Sequence, residues 1–168
     1  MILIITGLSG SGKSVTAKEI ANNLNAEHIQ LDQFTRYLID GRFVKSSTIN
    51  EFIKLEKPEI GSASYKSDPN RWHDRLIEYL DKSKKNYVIE GIQIFSNNLV
   101  SYHLITKYSI MKIDSKWYQR IINRTKRNIR KHNGRLSIID WIKYDGFRIY
   151  HIKELIQYNK FNKITERK

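Results

Sequence analysis

Apolar and polar positions fall into blocks along the chain, and the period of each block predicts an element. Residues 1–6 (MILIIT) are apolar nearly throughout and contain three isoleucines, the pattern of a strand buried on both faces. Glycine and serine dominate residues 7–12. From Lys13 to Leu24 the apolar residues Val15, Ala17, Ile20, Ala21 and Leu24 recur at helical spacing. A second strand is predicted over 27–32 and a short helix over 33–40, closed by Gly41. A helix over 70–85 carries Trp72, Leu76, Ile77 and Leu80 on one side. Strands follow over 86–90, stopped by Gly91, and over 108–113. Asp114 is placed to cap a helix from residue 115 to about 131, which Asn133-Gly134 would end. Residues 137 to about 158 are again helical, with a break near Gly146, and the last few residues should fray. Residues 42–69 fit neither period apart from a short helix near 49–55. Their prolines, serines and Gly61 predict an irregular, mobile insertion. Strands alternating with helices over 1–168 predict one α/β domain with a parallel sheet.

Composition narrows this picture little, but charge narrows it more. A chain of 168 residues suits one compact domain. It has no cysteine, which excludes disulfides and thiolate metal sites. The opening apolar run is too short for an export signal and lacks a basic leader. No run approaches the length of a membrane helix, so the expected location is cytoplasmic. The formal net charge is +13, and it is uneven: residues 112–168 hold 16 of the 30 Lys and Arg but only 5 of the 17 acids. Such a field attracts anions, whether nucleotides, nucleic acid or acidic surfaces.

The chemistry lies first in residues 7–14. Gly7-Leu8-Ser9-Gly10-Ser11-Gly12-Lys13-Ser14 fits G-x-x-x-x-G-K-[ST] at every fixed position, between a buried strand and an amphipathic helix. Gly7, Gly10 and Gly12 permit backbone shapes that let amides, including those of Ser9 and Ser11, close around phosphate oxygens. The helix that follows adds its positive end. Lys13 can reach the β- and γ-phosphates, and Ser14 can offer a hydroxyl to Mg²⁺. This is the phosphate loop (P-loop) of a nucleoside triphosphate site. No N-K-x-D motif is present to select guanine, so ATP is the expected nucleotide.

Ligands of open α/β sheets bind at the carboxyl ends of the strands, and two acids are predicted there. Asp32 is expected at the end of the second strand, beside the P-loop strand, as acceptor ligand or general base. Glu90, ending an apolar strand, is expected to hold Mg²⁺ by way of water. Arg120, Arg124 and Arg127, with Lys131, share a helix face at spacings of four, three and four. No acid lies between Asp114 and Asp140. Arginines suit a transferring phosphoryl group, so at least one of the three is a candidate catalytic residue. Aromatic residues of the same third (Trp117, Tyr118, Trp141, Tyr144, Phe147, Tyr150, Tyr158, Phe161) read as core. The five histidines show no metal-ligand spacing and read as structural or surface residues.

The set GLSGSGKS, Leu31–Phe34, 88–95 (VIEGIQIF) and the arginine helix resembles the small P-loop kinases, especially the uridine kinase and phosphoribulokinase-like group. The resemblance spans about residues 1–135. It implies a three-layer P-loop NTPase fold, with about five parallel strands flanked by helices and a basic helical lid at about 115–135. Residues 162–165 are the candidate for the last strand. Residues 42–69 would then be the acceptor-binding insertion. The implied reaction transfers the γ-phosphate of ATP to a hydroxyl or phosphate, with Asp32 on the acceptor and the lid arginines over ATP. Residues 42–69 match no acceptor pattern. Three functions follow: a kinase of a small molecule such as a nucleoside or nucleotide, a kinase acting on nucleic-acid ends, and a nucleotide-dependent regulatory module.

Overall fold

A computed structural model describes residues 1–68, 70–95, 100–131 and 149–165. Strand β1 (Ile2–Thr6) leads through the glycine loop into helix α1 (Lys13–Asn23), as the apolar pattern predicts. Strand β2 (Glu27–Gln30) passes directly into helix α2 (Leu31–Asp40), which ends at Gly41 in the left-handed conformation (φ 72°). Helices α3 (Ser47–Glu56), α4 (Ser62–Ser67) and α5 (Arg71–Lys82) follow. Strand β3 (Tyr87–Glu90), a 3-10 turn (Ile92–Ile94), helix α6 (Tyr102–Ile105) and strand β4 (Ser109–Lys112) come next. Helices α7 (Trp117–Lys131) and α8 (Ile149–Thr165) complete the described chain.

All four described strands are parallel, in the order β2-β3-β1-β4. Strand alternation builds the layers. Ile2 and Ile4 of β1 and Tyr87 and Ile89 of β3 face one side, where they meet Phe34, Phe52, Trp72, Leu76 and Phe161 in the main core. Ile5 and Val88 face the other side and pack on Ala17 and Ala21 of α1. The small alanines let α1 lie close to the sheet, which sets the loop before it directly over the carboxyl edge. The result is the three-layer α/β P-loop fold.

Six sequence expectations change. Asp32 is not at a strand end: β2 stops at Gln30, and Asp32 sits in the first turn of α2, where a carboxylate favours the helix N-terminus. β2 is also not beside the P-loop strand, because β3 lies between them. Residues 42–69 contain two helices, and Ser46 caps α3 by accepting from the Ile49 amide at 3.2 Å. Asp114 does not cap α7, which begins at Trp117; it accepts instead from the Tyr158 hydroxyl at 2.8 Å. Residues 162–165 are helical and supply no strand, so the sheet has four strands among the described residues. Among the aromatics, Tyr158 and Phe161 are core, whereas Trp117 is 66% exposed and Tyr118 is exposed as well. The expected turn at Asn133-Gly134, the break near Gly146, the end of the chain, and Trp141, Tyr144 and Phe147 lie outside the described residues. Among the described residues no helix is long and apolar enough to cross a membrane.

Candidate active site

A cleft of about 470 Å³ opens at the carboxyl edge of the sheet. The P-loop forms its floor. Gly7 packs so closely on the end of β4 that a Cβ there would collide with the Ile113 carbonyl oxygen. Gly10 (φ +82°) is wedged against α7: a Cβ would sit 2.6 Å from the Arg120 carbonyl oxygen and 3.1 Å from Arg124 Cγ. Gly12 (φ +96°) has open space around it and is needed for its backbone shape alone. Ser11 Oγ is buried without a hydrogen-bond partner. The Ser11 amide turns inward to the Leu8 carbonyl at 3.1 Å, but the amides of Lys13 and Ser14 open a helix and have no acceptor within it. These donors fit a bound phosphate chain. Gly10→Ala should lower stability by about 1–3 kcal/mol, through backbone strain and overpacking. A melting curve should show a Tm drop of roughly 3–8 °C, together with weaker MgATP binding.

Lys13 is only 8% exposed, and its ammonium donates to the Leu8 carbonyl at 3.2 Å. Burial lowers its pKa, and Arg127 adds to that, against the opposing pull of Glu90, Asp32 and Glu154. Ser14 donates to Glu90 Oε1 at 2.8 Å, and the Gln30 amide donates to the same oxygen at 3.2 Å. His28 Nε2 stands 3.7 Å away, an ion-pair distance rather than a hydrogen bond. His28 thus stands beside the Glu90 carboxylate, although it lines a separate recess with Glu27 and Gln33 rather than the cleft. Burial alone would raise the Glu90 pKa, but His28, the Ser14 hydroxyl and the Lys13 charge outweigh it and hold the group below its usual 4.5. A carboxyl depressed in the folded state adds stability that is present above its unfolded value and lost as pH falls through the folded one. Thermal melts from pH 6 to pH 3 should therefore lose more Tm in the wild type than in Glu90→Gln.

A hydroxyl and a carboxylate in contact form a hard-oxygen donor set suited to Mg²⁺. No three acidic or histidine side chains converge into a metal cage among the described residues. An ion held at Ser14 and Glu90 would take its other ligands from phosphate and water.

Helix α7 walls the other side. Arg124, 8% exposed, and Arg127 line the cleft, as do Asn123, Lys126 and Arg130. Arg120 does not: it lines a smaller cavity with Leu8, Trp117 and Ile152, which Arg124 borders as well. Asn123 donates from Nδ2 to the Gly10 carbonyl at 2.9 Å, which ties α7 to the loop. Asp32 lines the cleft opposite, and its Oδ1 accepts from Gln93 Nε2 at 2.6 Å.

Three of these groups escaped the sequence reading. Lys126 stands four residues before Arg130, which the sequence already places near the arginine row, so periodicity could have found it. Gln93 gives no sequence signal. Glu154 does: it is the one acid in a basic terminal helix. It is 4% exposed and accepts from the Ser9 amide, which places a negative charge on the phosphate loop. A triphosphate brought to that loop would meet repulsion. Glu154→Gln keeps an acceptor for Ser9 and removes the charge. It should tighten MgATP binding roughly fivefold, on the order of 1 kcal/mol, as measured by calorimetry.

No family model and no curated protein sequence matches this chain. Solved structures of similar shape include kinases. One is a gluconokinase from Sinorhizobium meliloti 1021, at 14% identity and a TM-score of 0.45, covering 85% of this chain and 71% of that one. A shikimate kinase from Aquifex aeolicus also has 14% identity and a TM-score of 0.45, over 98% of this chain and 99% of the other. A shikimate kinase from Acinetobacter baumannii, in complex with shikimate, has 12% identity and a TM-score of 0.46, over 93% and 79%. At this level the likeness concerns fold. What the site does must come from its own residues.

Proposed function

We propose that the protein is an ATP-dependent kinase that transfers the γ-phosphate to a hydroxyl of a small-molecule acceptor. One observation carries the reading: the P-loop lysine, the Ser14–Glu90 pair, a wall of cations and an unrelated carboxylate, Asp32, all line one cleft. The loop amides and Lys13 take the phosphate chain. Ser14 and Glu90 hold Mg²⁺, which supplies charge neutralisation at the phosphates. Arg124 and Arg127 neutralise charge that develops on the transferring group. Arg120, which lines the smaller cavity alone, has a structural role in this account.

The two carboxylates have different work. Glu90 is engaged with Ser14 and Gln30 at the nucleotide end. Asp32, exposed on the opposite side, is left for the acceptor. A carboxylate there repels an acceptor phosphate but can accept the proton of an alcohol, so a nucleoside or similar polyol fits better than a nucleotide phosphate. The nucleic-acid reading loses part of its motive, because Arg124, Lys126, Arg127 and Arg130 line the nucleotide cleft. A screen of nucleosides, sugars, nucleotides and oligonucleotides with γ-labelled ATP tests the proposal. Label transferred to an alcohol supports it. Label on no small molecule, or on oligonucleotide ends alone, overturns it.

A further inference from the structure

The turn after β3 holds a buried amide that the nucleotide site does not use. Gln93 is 4% exposed, and its Nε2 donates to Asp32 Oδ1 at 2.6 Å, across from the 3-10 turn to the first turn of α2. Its other end is an anomaly. Gln93 Oε1 is buried and has no hydrogen-bond partner, a state proteins rarely tolerate. Rotating the amide would bring Oε1 against the Asp32 carboxylate, oxygen to oxygen, so the charge on Asp32 fixes which way the amide points. The chain also makes room for this pose. A side chain at Gly91 would collide with Gln93 Oε1 and press within 3.0 Å of Leu31 Cβ. The unsatisfied acceptor therefore sits in the space that a side chain at position 91 would take, and the pose holds a single contact to Asp32.

We propose that Gln93 is the positioning residue of the acceptor side: it holds one oxygen of Asp32 so that the other faces the acceptor hydroxyl. The proposal rests on the kinase reading above. In the step it serves, the acceptor oxygen bonds to the γ-phosphorus while the bond from that phosphorus to the β,γ-bridging oxygen breaks. The bonding pair leaves with ADP, and the hydroxyl proton passes to the Asp32 carboxylate. The strand end then works as a unit. Glu90 sets the nucleotide side through Ser14, and Gln93, three residues on, sets the acceptor side through Asp32.

Three variants test this, with two independent readouts. The first readout needs no acceptor. The Gln93 side-chain amide signal in a ¹⁵N spectrum, assigned by its loss in Gln93→Met, should shift and exchange faster with water in Asp32→Asn. An unmoved signal overturns the contact. The second is kinetic, with whichever acceptor the phosphotransfer screen identifies. Gln93→Met has similar length and no donor; it should lower kcat tenfold or more while the Kd for MgATP and the Tm stay close to wild type. Gln93→Glu can donate only when protonated, so its kcat should fall as pH rises, as two carboxylates come to share the site without a proton. A wild-type kcat in Gln93→Met overturns the positioning role, as does a Gln93→Glu profile parallel to wild type. A wild-type protein that phosphorylates nothing counts against the kinase reading, and the amide signal still decides the contact.

Discussion

Replacing Lys13 by methionine should abolish useful MgATP binding without destabilising the fold. The ammonium lies on the cleft floor among groups suited to a triphosphate, and charge-assisted bonds to phosphate in a sheltered site are the strong ones. A loss of about 100-fold in affinity, roughly 2.7 kcal/mol, is expected by calorimetry. Stability should move the other way or not at all. Burial lowers the Lys13 pKa more than Glu90, Asp32 and Glu154 raise it. The charged form is therefore disfavoured in the folded state. By linkage, wild-type stability should rise as pH climbs from the lowered pKa toward that of an ordinary lysine. Lys13→Met should lack that rise. A group that costs stability yet fills the centre of the cleft fits a site selected for binding.

Asp32→Asn should leave MgATP binding within about twofold and reduce kcat by roughly 10²–10⁴. Asparagine keeps the shape, but its neutral oxygen holds the Gln93 amide less tightly and it cannot take a proton from an alcohol. Asp32 is exposed, and the lost charge in the first turn of α2 should cost the fold under about 1 kcal/mol, a small shift in a melting curve. An equal loss in the Kd for ATP would assign Asp32 to the nucleotide instead. No loss in kcat would remove it from the chemistry.

How much of this was legible in the sequence depends on how local the cause was. The P-loop could be read outright, because its glycines are required by the backbone itself: Gly10 and Gly12 adopt positive φ, and Gly7 and Gly10 touch main-chain carbonyls. β1, α5, β3 and β4 followed their hydrophobic periods; α1 formed where expected, but Val15 and Leu24 of its expected apolar side are exposed. The order β2-β3-β1-β4 was not legible, since pairing between strands distant in sequence leaves no local period. Asp32 was found as a residue but misplaced, because an acid after a strand and an acid in the first turn of a helix look alike. Arg120, Arg124 and Arg127 share a helical face by spacing, yet α7 presses edge-on against Gly10. Arg127 lines the cleft, Arg124 borders both the cleft and the smaller cavity, and Arg120 lines the smaller cavity alone. Glu154 reaches Ser9 across 145 residues, and Gln93 reaches Asp32 across 61. Such contacts belong to tertiary structure alone.

The central claim is that this cleft grips a nucleoside triphosphate through its P-loop. Isothermal titration of the wild-type chain with ATP in the presence of Mg²⁺ tests it most directly. The account predicts one site per chain with a measurable heat, a higher Tm with ligand, and neither effect in Lys13→Met. No heat and no thermal shift in the wild type would contradict it, as would binding of equal strength in Lys13→Met.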